Sequence, residues 1–501
     1  MHSSVLSIWV SSAFAHAARA AVISQQSPTD LTGSLTVDTT AGSVTGFINE
    51  TAPDVRQWLG VPYAEPPVGA LRFLPPQPKT AFGNLTTTAY QPSCMQQLSN
   101  SSTPYTDVVP EFLINGGQSE DCLYVNVYAP LHPVEEKLPV FIYIPGGGFT
   151  GGGADSLYKI PDQWIQRTQG HIFVIMNYRV NIFGFPNAGA ASQNAGLLDQ
   201  RLVVEWARDN IAAFGGDPSK ITLWGQSAGG TSVGMYGYAW YEDPIVSGLI
   251  ADSGAASILT VNDPEHATFT KFAGFVGCAN LTAEEELECM QNVDAETIQN
   301  TLSFGGTGTA FRPVADDVTA FTNISQRLVD GKFADVPYIT GSNSNEGASL
   351  GSTYDPNGMV PGQYENGLRS INCPVSQEVA NREAAGLTTY YYEYAGNFSN
   401  ISPLPWLGAM HSAELPLVFG THFQYRGNST EFEWEVASAM QELWLSFAVN
   451  PSQDPATADG FVWPKYTAEV DSMVLFAAED EVSQLQSSSI LAEQCSALST
   501  E

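Results

Sequence analysis

The stretch ITLWGQSAGG, residues 221–230, sets a serine between glycines at the end of an apolar run. The run is rich in β-branched and aromatic residues, which is typical of a buried strand. The pattern Gly-x-Ser-x-Gly occurs where a nucleophilic serine occupies a sharp strand-to-helix turn, and its glycines avoid collisions across the bend. Ser227 is therefore a candidate nucleophile, and the alternative is a tight turn without chemistry.

A second match to the pattern, GASLG at residues 347–351, means that the pattern alone decides nothing. Ser349 follows the turn-forming residues GSNSNEG and has no strand directly before it. Ser227 has both the strand before it and small residues after it, which allow a helix to pack closely. The sequence context therefore favours Ser227 over Ser349.

The segments around this turn alternate between predicted strands and helices. Four further segments are predicted to be buried strands: LPVFIYIPGGGF (138–149), HIFVIMNYRV (171–180), VSGLIADSG (246–254) and VPYITGSNSNEG (336–347). Residues 194–217 carry apolar side chains at helical spacing. This alternation predicts an α/β fold, with a central, mostly parallel sheet flanked by helices. Residues 263–335 and 355–385 are interpreted as large insertions within a single domain spanning 21–501.

A serine nucleophile needs a base and an acid that orients the base. In α/β hydrolases both follow the serine, the acid before the histidine. Of the histidines after Ser227, His266 lies in a polar stretch, whereas His411 follows a turn and His422 follows an apolar run. The residues favour His411 and leave His422 open. Glu346 stands just past a predicted strand, at the sheet edge where site residues collect, and its alternative role is a solvated loop carboxylate.

Backbone amides are available to stabilise an oxyanion beside the candidate nucleophile. The PGGGF stretch after the apolar run VFIYI can present the amides of Gly147 and Gly148 without side-chain obstruction. The amide of Ala228, directly after the serine, is the third donor. The alternatives are a flexible glycine loop and a phosphate-binding loop. The phosphate-binding loop is disfavoured because no Lys follows the glycines and the Walker pattern is absent.

The charge of the chain excludes several classes of partner. Among 501 residues, 52 Asp and Glu face 19 Lys and Arg, and the formal net charge is −33. Such a field opposes binding to nucleic acid and to strongly anionic membranes. No later segment has the ~18 uncharged apolar residues that an integral membrane helix needs. No cysteine and histidine cluster has metal-ligand spacing, so we expect no metal and no cofactor.

The N-terminus, MHSSVLSIWVSSAFAHAARA, resembles a secretory signal peptide over residues 1–20, with cleavage after Ala17 or Ala20. It lacks Lys or Arg before its apolar stretch, and the alternative, an anchoring helix, is too short to span a bilayer. The six cysteines, an even number, fit an oxidising compartment. Eight glycosylation sequons fit the same route: Asn49, Asn84, Asn100, Asn280, Asn323, Asn397, Asn400 and Asn428. We therefore expect a secreted, extracellular glycoprotein.

Seven motifs occur in the order found in the type-B carboxylesterase family: WLGVPYAEPPVGALRF, SEDCLYVNVY, PGGGF, GLLDQR, GQSAGG, SNSNEG and HSAELPLVFG. From about residue 40 to 495 the chain resembles this family, which includes cholinesterases, fungal lipases and the non-enzymatic neuroligins. The resemblance implies an α/β-hydrolase fold and the triad Ser227, Glu346 and His411. It implies as oxyanion donors the amides of Gly147, Gly148 and Ala228.

The resemblance also implies covalent and ionic links. The disulfides that it implies are Cys94–Cys122 and Cys278–Cys289, which leaves Cys373 and Cys495 as a third pair. The buried ion pairs that it implies are Arg72–Glu120 and Arg179–Asp199. Such pairs matter for the architecture, because an unpaired buried charge is costly.

Departures from the family pattern narrow the expected activity. Many members have Glu directly before the nucleophile, where this chain has Gln226, and the loop between Cys94 and Cys122 contains no Trp. Without an aromatic cation site in that loop, selectivity for choline esters is not expected. The segment YTDVVPEFLINGG, residues 105–117, is either a lipid-contacting lid or a wall of the substrate pocket, and we favour the wall. Pro145 replaces the His or Tyr that is common before the triple glycine.

Together these observations predict a secreted serine carboxylesterase that hydrolyses small, uncharged carboxylic esters through an acyl-enzyme. Three alternatives remain at this level. They are a lipase for long-chain acylglycerols, an esterase or acyltransferase dedicated to a secondary metabolite, and a catalytically silent, neuroligin-like adhesion protein. The presence of all three triad residues disfavours the silent protein.

Overall fold

A computed structural model describes residues 35–351 and 354–498, so the predicted signal peptide, residues 1–20, lies outside the described residues. The strands are β1 Thr36–Thr39, β2 Gly42–Thr45, β3 Phe47–Asn49, β4 Ala52–Pro62, β5 Gly83–Thr86, β6 Ser93–Cys94, β7 Gln118–Ser119, β8 Tyr124–Pro130, β9 Leu138–Ile144, β10 Ile172–Met176, β11 Gly216–Gln226, β12 Gly248–Asp252, β13 Tyr338–Asn343, β14 Thr389–Tyr394, β15 Ser472–Ala478 and β16 Glu481–Ser487.

Helices connect these strands and fill the regions interpreted as insertions. The α-helices are Pro104–Asp107, Asp162–Thr168, Asn181–Gly184, Ala195–Asn210, Ala228–Ala239, Ala267–Phe275, Ala283–Asn292, Ala295–Phe304, Ile324–Val329, Gln363–Gly367, Cys373–Ala384, Leu415–Phe419, Glu431–Val449 and Ser489–Leu498. Shorter turns of 3₁₀ helix include Pro110–Phe112, Leu157–Lys159 and Glu346–Ser349. None of the helices in the described part of the chain is long and apolar enough to cross a membrane.

The main sheet has eleven strands in the order β16-β15-β14-β13-β12-β11-β9-β10-β8-β4-β3. Its central strands, from β10 through β15, pair in parallel, whereas β8, β4 and β3 at one edge and β16 at the other pair antiparallel. Every residue of β9, β10 and β12 is buried, as expected for strands that are covered on both faces. The predicted α/β fold with a mostly parallel sheet is confirmed.

The two faces of the sheet carry different side chains because successive residues of a strand point to opposite sides. On β11, Trp224 joins an aromatic cluster on one face, where its ring stacks on Phe419 at 5.1 Å. Leu223 joins an aliphatic cluster on the other face, together with Val203 of the helix Ala195–Asn210. The unbroken apolar run before Ser227 is thus buried from both sides, which fixes the end of the strand where the serine stands.

Three disulfides and two buried ion pairs hold the connections. The disulfides are Cys94–Cys122, Cys278–Cys289 and Cys373–Cys495. The ion pairs are Arg72–Glu120, with contacts of 2.5 and 2.7 Å, and Arg179–Asp199, with contacts of 2.9 and 2.6 Å. Arg179 and Asp199 are both buried, so each neutralises a charge that would otherwise be costly in the interior.

One of the eight expected glycosylation sites conflicts with the fold. Asn400 is buried, and its Nδ2 donates hydrogen bonds to the His422 carbonyl oxygen, Ser429 Oγ and Glu433 Oε1. A glycan would replace one of the two hydrogens on this nitrogen and would need the space that these buried acceptors fill, so the structure argues against Asn400 as a glycosylation site. Of the other seven, Asn49 is half-buried and these are exposed: Asn84, Asn100, Asn280, Asn323, Asn397 and Asn428.

Candidate active site

Ser227 stands at the junction between β11 and the helix Ala228–Ala239 in a backbone conformation that residues with side chains rarely adopt. Its φ is +61° and its ψ is −124°, and such a conformation costs about 1–3 kcal/mol. Its amide donates to the Asp252 carbonyl oxygen at 2.8 Å. A Cβ on Gly225 would lie 2.4 Å from the carbonyl carbon of Gly229. The flanking glycines are therefore required by the close approach of the chain across the turn.

His411 and Glu346 form a buried pair beside this turn. His411 Nδ1 lies 2.5 Å from Glu346 Oε2, and the two residues are 4% and 1% exposed. A carboxylate only accepts, so Nδ1 of the neutral imidazole carries the proton and donates it to Glu346. The other ring nitrogen, Nε2, is then able to accept a hydrogen bond. His411 Nε2 lies 3.3 Å from the side-chain Nε2 of Gln226, the residue next to Ser227. The imidazole thus presents its basic nitrogen at the serine turn.

Two residues that sequence reasoning missed hold the acid in place. Ser253 Oγ donates to Glu346 Oε1 at 2.6 Å, and the backbone amide of Asn343 donates to the same oxygen at 2.8 Å. Ser253 follows β12 directly and Asn343 ends β13. The sequence could have indicated these two residues through their position at the carboxyl ends of parallel strands, since site residues collect at that edge of the sheet.

The glycines after β9 face the serine turn. A Cβ on Gly146 would lie 2.6 Å from the Gln226 carbonyl oxygen and 2.9 Å from Ser227 Cβ. Gly147 and Gly148 have φ values of +135° and +64°, and a Cβ on Gly147 would lie 2.3 Å from the Gly151 carbonyl oxygen. Glycine is needed here because the two turns touch through their backbones. The backbone amides that the sequence predicted as donors therefore belong to segments next to the serine.

The side chains of the other candidates have hydrogen-bond partners outside this group. Ser349 lies in the 3₁₀ turn that begins at Glu346, and it follows no strand directly. His422 is buried elsewhere, with Nδ1 2.7 Å from Ser429 Oγ and 3.3 Å from Glu433 Oε1. His266 packs with Nδ1 3.0 Å from Asn187 Oδ1.

Two more carboxyl groups are buried near Glu346. Trp224 Nε1 donates to Asp252 Oδ2 at 2.5 Å, and Asn343 Nδ2 donates to Glu414 Oε2 at 2.5 Å. Burial raises the pKa of Asp252 to about 7, and the charge of Glu346 adds to the rise. Burial also raises the pKa of Glu414 well above its usual range, helped by the charges of Asp252 and Glu346. At mildly acidic pH both groups therefore stay neutral beneath the His411–Glu346 pair.

Within residues 35–351 and 354–498, no group of three or more His, Cys, Asp or Glu is placed to hold a metal ion. The geometry instead assembles a strained serine, a histidine whose Nδ1 is held by a carboxylate, and adjacent glycine amides. Acyl transfer on a serine requires groups of these kinds: a nucleophile, a base that an acid orients, and donors to the oxyanion.

Comparison with known proteins shows the family of the chain. A family model described as the carboxylesterase family matches residues 33–370 and 368–495. The chain is 51% identical to the chlorogenic acid esterase of Aspergillus niger, over 92% of this chain and 94% of that protein. It is 40% identical to secreted lipase 5 of Gibberella zeae, over 93% and 94% of the two chains, and 31% identical to the acetylcholinesterase of Bungarus fasciatus, over 87% and 82%. The chain therefore belongs to the carboxylesterase family, and it is a carboxylic ester hydrolase with the α/β-hydrolase fold.

Proposed function

We propose that the protein is a secreted serine carboxylesterase that hydrolyses uncharged carboxylic esters through an acyl-enzyme. The observation that carries the proposal is the buried His411–Glu346 pair, whose second imidazole nitrogen lies 3.3 Å from the side-chain nitrogen of Gln226, the residue next to Ser227. His411 takes the proton of Ser227 Oγ as that oxygen attacks the ester carbonyl carbon. Glu346 stabilises the resulting imidazolium, and it does so without taking the proton.

The remaining steps use the same groups. The amides of Gly147, Gly148 and Ala228 donate to the oxyanion of the tetrahedral intermediate. His411 then returns the proton to the leaving alcohol, and the acyl group stays on Ser227. Water enters, loses a proton to His411 and attacks the acyl carbon, which releases the carboxylic acid and restores the serine.

Substitution of the serine tests this mechanism. Ser227→Ala should lower kcat on p-nitrophenyl butyrate by about 10⁴-fold or more, because removal of a triad nucleophile leaves only binding and the oxyanion donors. Ser219→Ala is a matched control, since Ser219 is exposed at the opposite end of the same strand. An organophosphate should label the peptide that contains Ser227 and leave the peptide with Ser349 unlabelled. Full activity of Ser227→Ala would overturn the mechanism.

The segment between Cys94 and Cys122 supports esters in solution as substrates. Arg426 holds this segment in place, because its guanidinium pairs with Glu111 and donates to the Val108 carbonyl oxygen at 3.0 Å. Val109 and Phe112 are buried, so these two side chains are directed at the protein, whereas Leu113 is 40% exposed. These contacts favour a pocket wall over a lid that opens onto lipid. A lipase would instead prefer a long-chain triglyceride emulsion to a soluble short-chain ester, and this comparison of rates separates the two activities.

A more specific substrate is suggested by one relative. The protein from Aspergillus niger that is 51% identical to this chain is named for chlorogenic acid. Chlorogenic acid carries a free carboxylate besides its ester and so lies outside the uncharged class; we propose it as the first natural ester to test, with kcat/KM compared against p-nitrophenyl butyrate. A value for chlorogenic acid far below that for the synthetic ester would exclude it as a preferred substrate. An added alcohol acceptor in the same assay reveals acyl transfer as a second ester product.

Secretion is supported by the three disulfides and by the relative named as a secreted lipase. Expression of the full chain in a fungal host should place the protein in the medium, with an N-terminus just after Ala17 or Ala20. Enzymatic removal of N-glycans should lower its mass without altering residue 400. Retention of residues 1–20 on a cell-associated protein would contradict the proposal.

A further inference from the structure

In the wall segment between Cys94 and Cys122, the side chain of Tyr105 contacts the loop that carries His411. Tyr105 lies in the short helix Pro104–Asp107, and its hydroxyl is 2.7 Å from the His411 carbonyl oxygen. The same hydroxyl is 3.0 Å from Ser349 Oγ. A carbonyl oxygen can only accept, so the single hydroxyl proton of Tyr105 is directed at His411, and Ser349 donates to the Tyr105 oxygen.

This short chain of hydrogen bonds joins two separate loops. Ser349 ends the 3₁₀ turn that begins at Glu346, whereas His411 belongs to the turn before the helix Leu415–Phe419. The 2.5 Å contact between His411 and Glu346 depends on how these loops are placed relative to each other. Tyr105 bridges them from the wall side, although it touches neither the imidazole ring nor the carboxylate in its hydrogen bonds.

The ring of Tyr105 is held where the bridge requires it. It packs edge-on against Phe112 at 5.8 Å, and Phe112 packs against Tyr158 at 4.7 Å. Arg426 Nη1 donates to the Tyr158 hydroxyl at 2.8 Å. The three packed rings are therefore held by the same arginine that bonds to the wall segment. Burial raises the pKa of Tyr105 well above its usual range, which keeps the hydroxyl protonated as a donor at every working pH.

We propose that Tyr105 is a positioning residue for ester hydrolysis: its hydroxyl, bonded to the His411 carbonyl and to Ser349, sets the register between the loops that carry the base and the acid. The wall is therefore part of what aligns the triad, in addition to bounding the pocket. The inference rests on the proposed role of His411 and Glu346.

The test is Tyr105→Phe in the full chain, which keeps the ring packing and removes only the bridge. We expect kcat on p-nitrophenyl butyrate to fall by about tenfold to a hundredfold, because a ~1 Å displacement of a catalytic group can cost about a hundredfold in rate, with KM nearly unchanged. The far-downfield proton resonance of the His411–Glu346 hydrogen bond should shift or broaden in the variant. Tyr425→Phe is the matched control, because Tyr425 packs on the ring of Tyr158 from outside the Cys94–Cys122 segment, and it should leave kcat and the resonance unchanged.

A second variant tests the proposal independently if Tyr105→Phe folds poorly. Ser349→Ala removes the donor to Tyr105, should lower kcat in the same direction by a smaller factor, and should have little further effect when combined with Tyr105→Phe. Unchanged kcat and an unchanged resonance in either folded variant would overturn the positioning role, while loss of activity in Ser227→Ala would still uphold the mechanism. Full activity of Ser227→Ala would instead overturn the proposed mechanism and, with it, the positioning role of Tyr105.

Discussion

Asp252 offers a direct test of how burial governs the stability of this protein. Its carboxyl group is fully buried at the end of β12, and it accepts a hydrogen bond from Trp224 Nε1. In Asp252→Asn the amide oxygen can accept the same bond, and the substitution removes the group that ionises. We expect the variant to be more stable than the wild type at alkaline pH and to differ little from it at acidic pH.

The size of the effect follows from the pKa. Burial raises the pKa of Asp252 from 3.8 to about 7, so the folded state holds this proton more tightly than the unfolded state. Its contribution to stability is complete below the ordinary pKa and is lost as the pH rises through about 7. Each pKa unit corresponds to about 1.4 kcal/mol. Between pH ~4.5 and pH ~8 the wild type should therefore lose about 3 kcal/mol that Asp252→Asn retains.

Urea unfolding at the two pH values measures this difference as a change in the free energy of unfolding. Asp335→Asn serves as the control, because Asp335 is exposed and its substitution should shift stability equally at both pH values. The reasoning is refuted if the stability difference between Asp252→Asn and the wild type is the same at both pH values. It is refuted equally if the variant loses stability as the pH rises.

Three further outcomes are expected. Gly229→Ala places a Cβ 2.0 Å from a backbone oxygen of the neighbouring strand, so kcat should fall at least tenfold and the Tm should drop. Replacing Cys373 and Cys495 by Ser opens a link between residues 122 apart and should lower the free energy of unfolding by about 4–5 kcal/mol in urea titrations. Arg426→Gln should speed hydrogen exchange of the amides in 104–115 while leaving exchange in the central strands unchanged.

The sheet was predictable because its strands are buried on both faces. An apolar run without alternation, such as the one before Ser227, is readable from the sequence, and so is the turn that its glycines permit. Distinguishing Ser227 from Ser349 needed only the strand before it. The antiparallel edges of the sheet were not predicted, because β3 and β16 have no residue that is fully buried and carry no strong apolar pattern.

The candidate site was predictable only in part. The residues favoured His411 over His422, and the family resemblance chose it, but no local pattern marks Tyr105, which meets His411 across 306 positions of the chain. The sequence places Asp252 at the end of a strand but does not reveal that its carboxyl group is fully buried. Asn400 shows the opposite case, since a three-residue sequon is a local signal and the burial of its amide is a property of the whole fold.

That buried amide has a consequence for the order of events in a secreting cell. Glycan transfer acts on Asn-x-Ser/Thr in chains that are still unfolded, and the sequon at Asn397 stands only three residues before the one at Asn400. A chain modified at Asn400 before folding could not form the bonds to Ser429 and Glu433 that close this part of the interior. On the secretory route, the yield of active enzyme from a host therefore depends on whether folding reaches this asparagine before the transferase does.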